Sequence, residues 1–143
     1  MSENAEQLVA KMSKQKWVFI SSPYTKPDPC ENVHLSAKMF NRLLDDGKCV
    51  PLTLLWTHFF HTMQPRSYES WLAYCMVHIP FCHAVLVLPG ESSGKDREIA
   101  IAKSLGKPIF YSVEELYKWL DEMEETVEIK KVDIPSVEVV QKK

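Results

Sequence analysis

The chain has no Cys-x-x-Cys pair: its four cysteines, Cys30, Cys49, Cys75 and Cys82, stand apart in apolar or helical surroundings. That excludes a zinc ribbon or a disulfide framework and fits reduced thiols in a cytoplasmic protein. No apolar run is long enough to span a bilayer. Residues 1–16 are too polar for a secretory signal, so a cytoplasmic protein with no membrane partner is expected. A basic excess is missing too. The formal net charge is −2, which argues against a surface that tracks nucleic-acid phosphates. Neither glycine fingerprint of nucleotide-binding proteins occurs, since the spacings G-x-x-x-x-G-K-S/T and G-x-G-x-x-G are both absent. His58 and His61 have a chelating spacing but no H-E-x-x-H context, so they read as ordinary histidines and no metal is expected. Internal repeats and low-complexity tracts are absent as well.

What is present is the composition of a globular protein, 45% hydrophobic and 25% charged, in a length of 143 residues that suits one domain. Trp17-Val-Phe-Ile20 reads as a buried strand running into the loop Ser21-Ser-Pro-Tyr24. Asp28 is placed to cap a helix, with Pro29 at its first position and Glu31 at the capping-box spacing. Val33, Ala37, Phe40, Leu43 and Leu44 then repeat on one face, and Gly47 ends the helix. Residues 49–55 predict a second strand, and residues 56–66 a loop or a short helix. Ser67 caps a helix with Leu72, Cys75, Met76 and Ile79 inward, stopped by Pro80. The run Ala-Val-Leu-Val-Leu within residues 83–89 predicts a central parallel strand buried on both faces. A Gly/Ser loop over residues 90–95 leads to a helix over about 96–105, closed by Gly106. Residues 108–111 predict a last strand. Ser112 with Glu115 caps a helix whose stripe is Leu116, Trp119, Leu120 and Met123.

This order predicts an α/β fold, a flavodoxin/Rossmann-like three-layer sandwich with a parallel sheet of four or five strands. Residues 1–15 form a polar extension and residues 16–125 the domain. Residues 126–143, charged and Val-rich, are a mobile tail or an added edge strand. Ligands in such sheets bind beyond the carboxyl ends of the strands. Three stretches converge there: residues 21–24, the region after Leu52, and Pro89-Gly-Glu-Ser-Ser-Gly-Lys-Asp-Arg-Glu98. The last joins a buried strand to a helix, so its backbone N–H groups can face an anion. Ser92, Ser93, Gly94, Lys95 and Arg97 add donors suited to a phosphate or a ribose, although a Gly/Ser turn before a solvated helix start has the same composition. Tyr24, Tyr68 and Trp71 are candidates to stack on a base, Trp71 equally a core residue. Trp56 and Phe59-Phe60 suit a base pocket or a dimer face.

Val18-Phe-Ile-Ser-Ser-Pro-Tyr24, Ser67-Tyr-Glu-x-Trp71, Cys82-x-Ala-Val-Leu-Val-Leu-Pro-Gly90, Ser93-Gly-x-x-Arg-Glu98 and Leu105-Gly-Lys-Pro-Ile109 together resemble the nucleoside 2-deoxyribosyltransferase-like superfamily. The similarity is nearest to its small bacterial and phage branches, related to 2′-deoxynucleoside 5′-phosphate N-hydrolases. It spans roughly residues 16–119. The resemblance implies that Glu98 is a nucleophile on the anomeric carbon of an N-glycoside, by the logic of retaining glycosidases. Near a helix N-terminus its carboxylate is expected to be ionised. It also implies Ser21, Ser22, Pro23, Tyr24, Tyr68, Trp71, Ser92, Ser93, Gly94 and Arg97 around the substrate, no cofactor, and a homodimer or higher homo-oligomer. Ser92 stands six residues before Glu98, where the transferases carry an Asp that holds a free 5′-hydroxyl and the nucleotide hydrolases a Ser at a 5′-phosphate. The expected activity is cleavage of the base–sugar bond of a (deoxy)nucleoside 5′-monophosphate. The alternatives are deoxyribosyl transfer between bases and nucleotide binding without catalysis. Two positions depart from the family pattern: Cys75 stands where a second acid serves the leaving base, and Phe19 replaces a first-strand Tyr. Glu69, His78 and His83 are the nearby substitutes for that acid.

Overall fold

Capping chemistry decides where most of the helices begin. The computed structural model describes residues 2–126. In the polar N-terminal segment, Asn4 and Gln7 form a reciprocal capping box on α1 (Ala5–Met12), a helix with no buried residue. After β1 (Trp17–Ser21), the Asp28 carboxylate accepts from Glu31 N at 2.9 Å and starts α2 (Pro29–Asp46). Gly47, at φ 64°, closes that helix in the left-handed conformation. The chain continues through β2 (Val50–Leu52), α3 (Thr57–Met63) and α4 (Tyr68–Met76), the last capped by Ser67. A 3-10 turn (Ile79–Phe81) leads to β3 (Ala84–Val87). Then come α5 (Ser93–Ser104), β4 (Ile109–Phe110) and α6 (Val113–Thr126), the last started by Ser112 Oγ accepting from Glu115 N.

The strands form one parallel sheet in the order β2-β1-β3-β4, with Phe19 opposite Leu52 on one side and Val85 on the other. Alternation along the strands divides the core. Val18, Ile20, Ala84 and Leu86 pack with Leu43 of α2 and Leu116 and Leu120 of α6. Phe19, Val85 and Val87 face the opposite way, against Ile79 and Ala102 of α5. The result is a three-layer α/β sandwich of Rossmann-like type. Pro51, which has no N–H to give a ladder, is tolerated because β2 is an edge strand.

Several details differ from the sequence reading. α5 begins at Ser93, three residues early, because the Ser92 hydroxyl takes the N-cap; Ser93, Gly94 and Lys95 are therefore its first turn and not loop. α4 ends at Met76, short of Pro80, and the 3-10 turn carries Ile79 into the core. On α2 the buried positions are Asn32, Ser36 and Leu43, while Ala37 and Leu44 are exposed. Two polar residues are buried there because they have partners: Asn32 Nδ2 donates to Tyr24 O and Lys26 O, and Ser36 Oγ lies 2.5 Å from Thr53 Oγ1. These three bonds hold loops at the carboxyl edge of the sheet. The C-terminal tail or edge strand expected beyond α6 lies outside the described residues. Among those residues, no helix is long and apolar enough to cross a membrane.

Candidate functional site

β1 and β3 are neighbours, yet the helices that follow them, α2 and α5, pack on opposite faces of the sheet. Loops leaving in opposite directions open a crevice at such a switch point. A cavity of about 420 Å³ lies there, a volume in the range of small-molecule sites.

Two periodicities bring its central pair together. Ser21 lies two residues after Phe19, so it points to the α5 face of the sheet. Gly94, Glu98 and Ala102 recur every fourth residue as the buried stripe of α5. Where the stripe meets the end of β1, Ser21 Oγ donates to Glu98 Oε2 at 2.6 Å. Ser21 is fully buried and Glu98 only 8% exposed. Here burial outweighs the field of the helix N-terminus, and the carboxyl holds its proton more tightly than an exposed one does. Burial pushes the Glu98 carboxyl up to about 7 from an ordinary 4.5, and the bond from Ser21 offsets only part of that. Glu98 is in the second turn of α5, beyond the orphan N–H groups whose field would favour the anion.

Ser22, Tyr24, Tyr68, Trp71, Ser92 and Gly94 line the cavity with Glu98. Ser93 is tied to its rim through a 3.1 Å bond between its hydroxyl and that of Tyr68. Gly94 permits this arrangement, since a Cβ there would stand 2.8 Å from the Tyr68 hydroxyl. Pro23 is buried beside the site, where it packs against Gly90, whose φ of 111° favours glycine. Arg97 is not brought in: it donates to Glu69 at 2.8 Å in an exposed ion pair between α4 and α5. Lys95 lines the cavity, but its ammonium donates to Leu88 O at 3.2 Å and to Gly90 O, which clamps the β3–α5 turn.

The sequence reading missed Leu55, Thr57, His58, His61, Arg66 and Leu72 as lining residues. The His-x-x-His spacing was the available signal. His58 Nδ1 lies 2.7 Å from the Tyr24 hydroxyl. His61 Nδ1 accepts from Trp71 Nε1 at 2.9 Å, so Trp71 serves the site through its indole N–H as well as its ring. Cys75 also lines the cavity, and burial followed by the nearby Glu98 pushes its thiol up to about 12. None of the three substitute acids is there. Glu69 is paired with Arg97, His78 Nδ1 donates to Tyr74 O, and His83 accepts from Trp17 N at the amino end of β3. Trp56, Phe59 and Phe60 stand outside this cavity on the exposed side of α3. Among the described residues, no three His, Cys, Asp or Glu side chains gather where they could hold a metal ion. No protein-family model, curated protein or solved structure matches this chain.

Proposed function

We propose that this chain is an N-glycosidase of the nucleoside 2-deoxyribosyltransferase-like kind, cleaving the base–sugar bond of a (deoxy)nucleoside 5′-monophosphate. The observation that carries the reading is Glu98, the one carboxyl group lining the switch-point cavity among the described residues, held by Ser21. The bond from Ser21 occupies one carboxylate oxygen and leaves the other for the anomeric carbon. As the base departs, positive charge builds on the sugar, and the carboxylate captures it as a covalent glycosyl ester that water then hydrolyses.

The rest of the cavity suits the two ends of such a substrate. Ser92 uses a lone pair to cap α5, which leaves its hydroxyl proton to donate. The N–H groups of Ser93 and Gly94, in the first turn, have no intrahelical acceptor and favour an anion. At 1.5 Å per residue, Glu98 is about 9 Å farther along the axis than Ser92, room for a sugar between a phosphate and the reacting carbon. Tyr24, Tyr68 and Trp71 offer aromatic surface to the base.

The test is incubation with a panel of nucleoside 5′-monophosphates and the matching nucleosides, with free base read by chromatography. Base should be released by the wild type and not by Glu98→Ala, whose fold should persist. No release from any member of the panel, or full activity in the variant, refutes the reading.

A further inference from the structure

A glycosidase that attacks with one carboxylate still needs a proton for the departing base. Among the described residues, the cavity holds no second carboxyl group. We propose that His58 donates that proton from its Nε2 atom, an inference that rests on the glycosidase reading above.

Cys75, Tyr24 and His61, which also line the cavity, are less suited. The Cys75 thiol is far too weak an acid at about 12, and burial raises Tyr24 above the usual phenol range. The two imidazoles are told apart by what each Nδ1 faces. His61 Nδ1 accepts from both the Trp71 indole N–H at 2.9 Å and the Arg66 backbone N–H at 3.3 Å. Neither donor can reverse its role, so that nitrogen must keep its lone pair and the ring holds a single proton, on Nε2. His58 Nδ1 faces the Tyr24 hydroxyl at 2.7 Å, and a hydroxyl accepts as readily as it donates. The His58 ring can therefore carry two protons with its Nδ1–H satisfied. An edge-on contact with the Tyr24 ring, with centroids 5.7 Å apart, fixes its orientation. Tyr24 is a positioning residue for it.

The step balances. The Glu98 carboxylate forms a bond to the anomeric carbon as the C–N bond breaks and its electron pair passes to the base. The His58 imidazolium gives its Nε2 proton to that base and becomes neutral. Neutral His58 then takes a proton from the attacking water while the ester bond breaks back to the Glu98 carboxylate, which restores both groups.

The test compares two substrates on wild type, His58→Gln and Tyr24→Phe, with melting curves to verify folding. One is 2′-deoxyadenosine 5′-monophosphate, whose base needs a proton. The other is 4-nitrophenyl 2-deoxyriboside 5-phosphate, whose leaving group departs as a stable anion. In the first turnover, His58→Gln should slow the nucleotide by about 10²–10⁴-fold, the usual worth of general acid catalysis, and leave the burst of nitrophenol within a few-fold of wild type, with slow turnover after the burst because His58 also serves the water step. Tyr24→Phe should show the same split more weakly, and it decides the matter should the His58 variant fail to fold. Equal first-turnover losses on both substrates, or none on the nucleotide, overturn the role of His58 while leaving that of Glu98 intact. A wild type inert on both overturns the glycosidase reading and this inference with it.

Discussion

Glu98→Gln should stabilise the protein relative to wild type by an amount that grows with pH. The Glu98 carboxyl titrates at about 7 in the folded chain against an ordinary 4.5, chiefly because it is buried. Below pH 4.5 it is protonated in both folded and unfolded states, and burial of its charge costs nothing. Between 4.5 and about 7 the unfolded chain ionises while the folded one keeps its proton, so wild-type stability is lost as pH rises. Above about 7 both states are ionised and the penalty levels off. At about 1.4 kcal/mol for each pH unit between the two titrations, it reaches about 3–4 kcal/mol. Glutamine cannot ionise, and its carbonyl can still accept from Ser21. Any fixed cost of its amide group shifts the whole curve without bending it. Urea unfolding of both proteins from about pH 4 to about pH 8.5 measures the difference, in which other titrating groups largely cancel. Curves that stay parallel across this range would show that Glu98 is not desolvated and would refute the reasoning.

Two further perturbations probe the cradle around it. Ser92→Asp keeps a good N-cap but sets a carboxylate at the proposed phosphate site, so the fold should survive. By calorimetric titration, wild type should prefer a monophosphate over its nucleoside by about 1.5–3 kcal/mol, and the variant should lose that preference. An undiminished preference would place the phosphate elsewhere. Gly94→Ala adds a methyl group 2.8 Å from the Tyr68 hydroxyl, at the free end of a half-exposed ring that can swing away. Stability should hold or rise by up to about 1 kcal/mol from helix propensity, while nucleotide binding weakens as Tyr68 leaves the cavity wall. Marked destabilisation, or unchanged binding, would contradict that account.

Local chemistry was legible in the chain. Asp28, Gly47, Ser67 and Ser112 end or begin helices through bonds to residues at most four away, so neighbours in sequence suffice to read them. The apolar run of β3 likewise announces a strand covered on both faces. Ser92 was harder, because either Ser92 or a later residue could open α5, and only the folded backbone shows the hydroxyl meeting Lys95 N. Glu98 was singled out by the family resemblance, as the glutamate near the start of the helix after the third strand, but its protonation was not legible. The helix dipole argued for an anion, whereas burial beneath the first turn of α5 raises the titration to about 7, where acid and anion coexist. The inward turn of Asn32 and Ser36 was hidden for a related reason, since a polar residue is buried only when a distant partner satisfies it. His58 and His61 enter the site because α3 meets Tyr24 after β1 and Trp71 of α4; the His-x-x-His spacing marks the pair but not these partners. Sequence by itself determined most helices and strands from β1 onward, since those follow from capping and periodicity over a few residues, but it marked α1 only as a polar extension and left α3 open between loop and helix. Tertiary structure alone decided which polar groups face one another across the crevice, because desolvation and hydrogen bonding there depend on atoms brought together from distant parts of the chain.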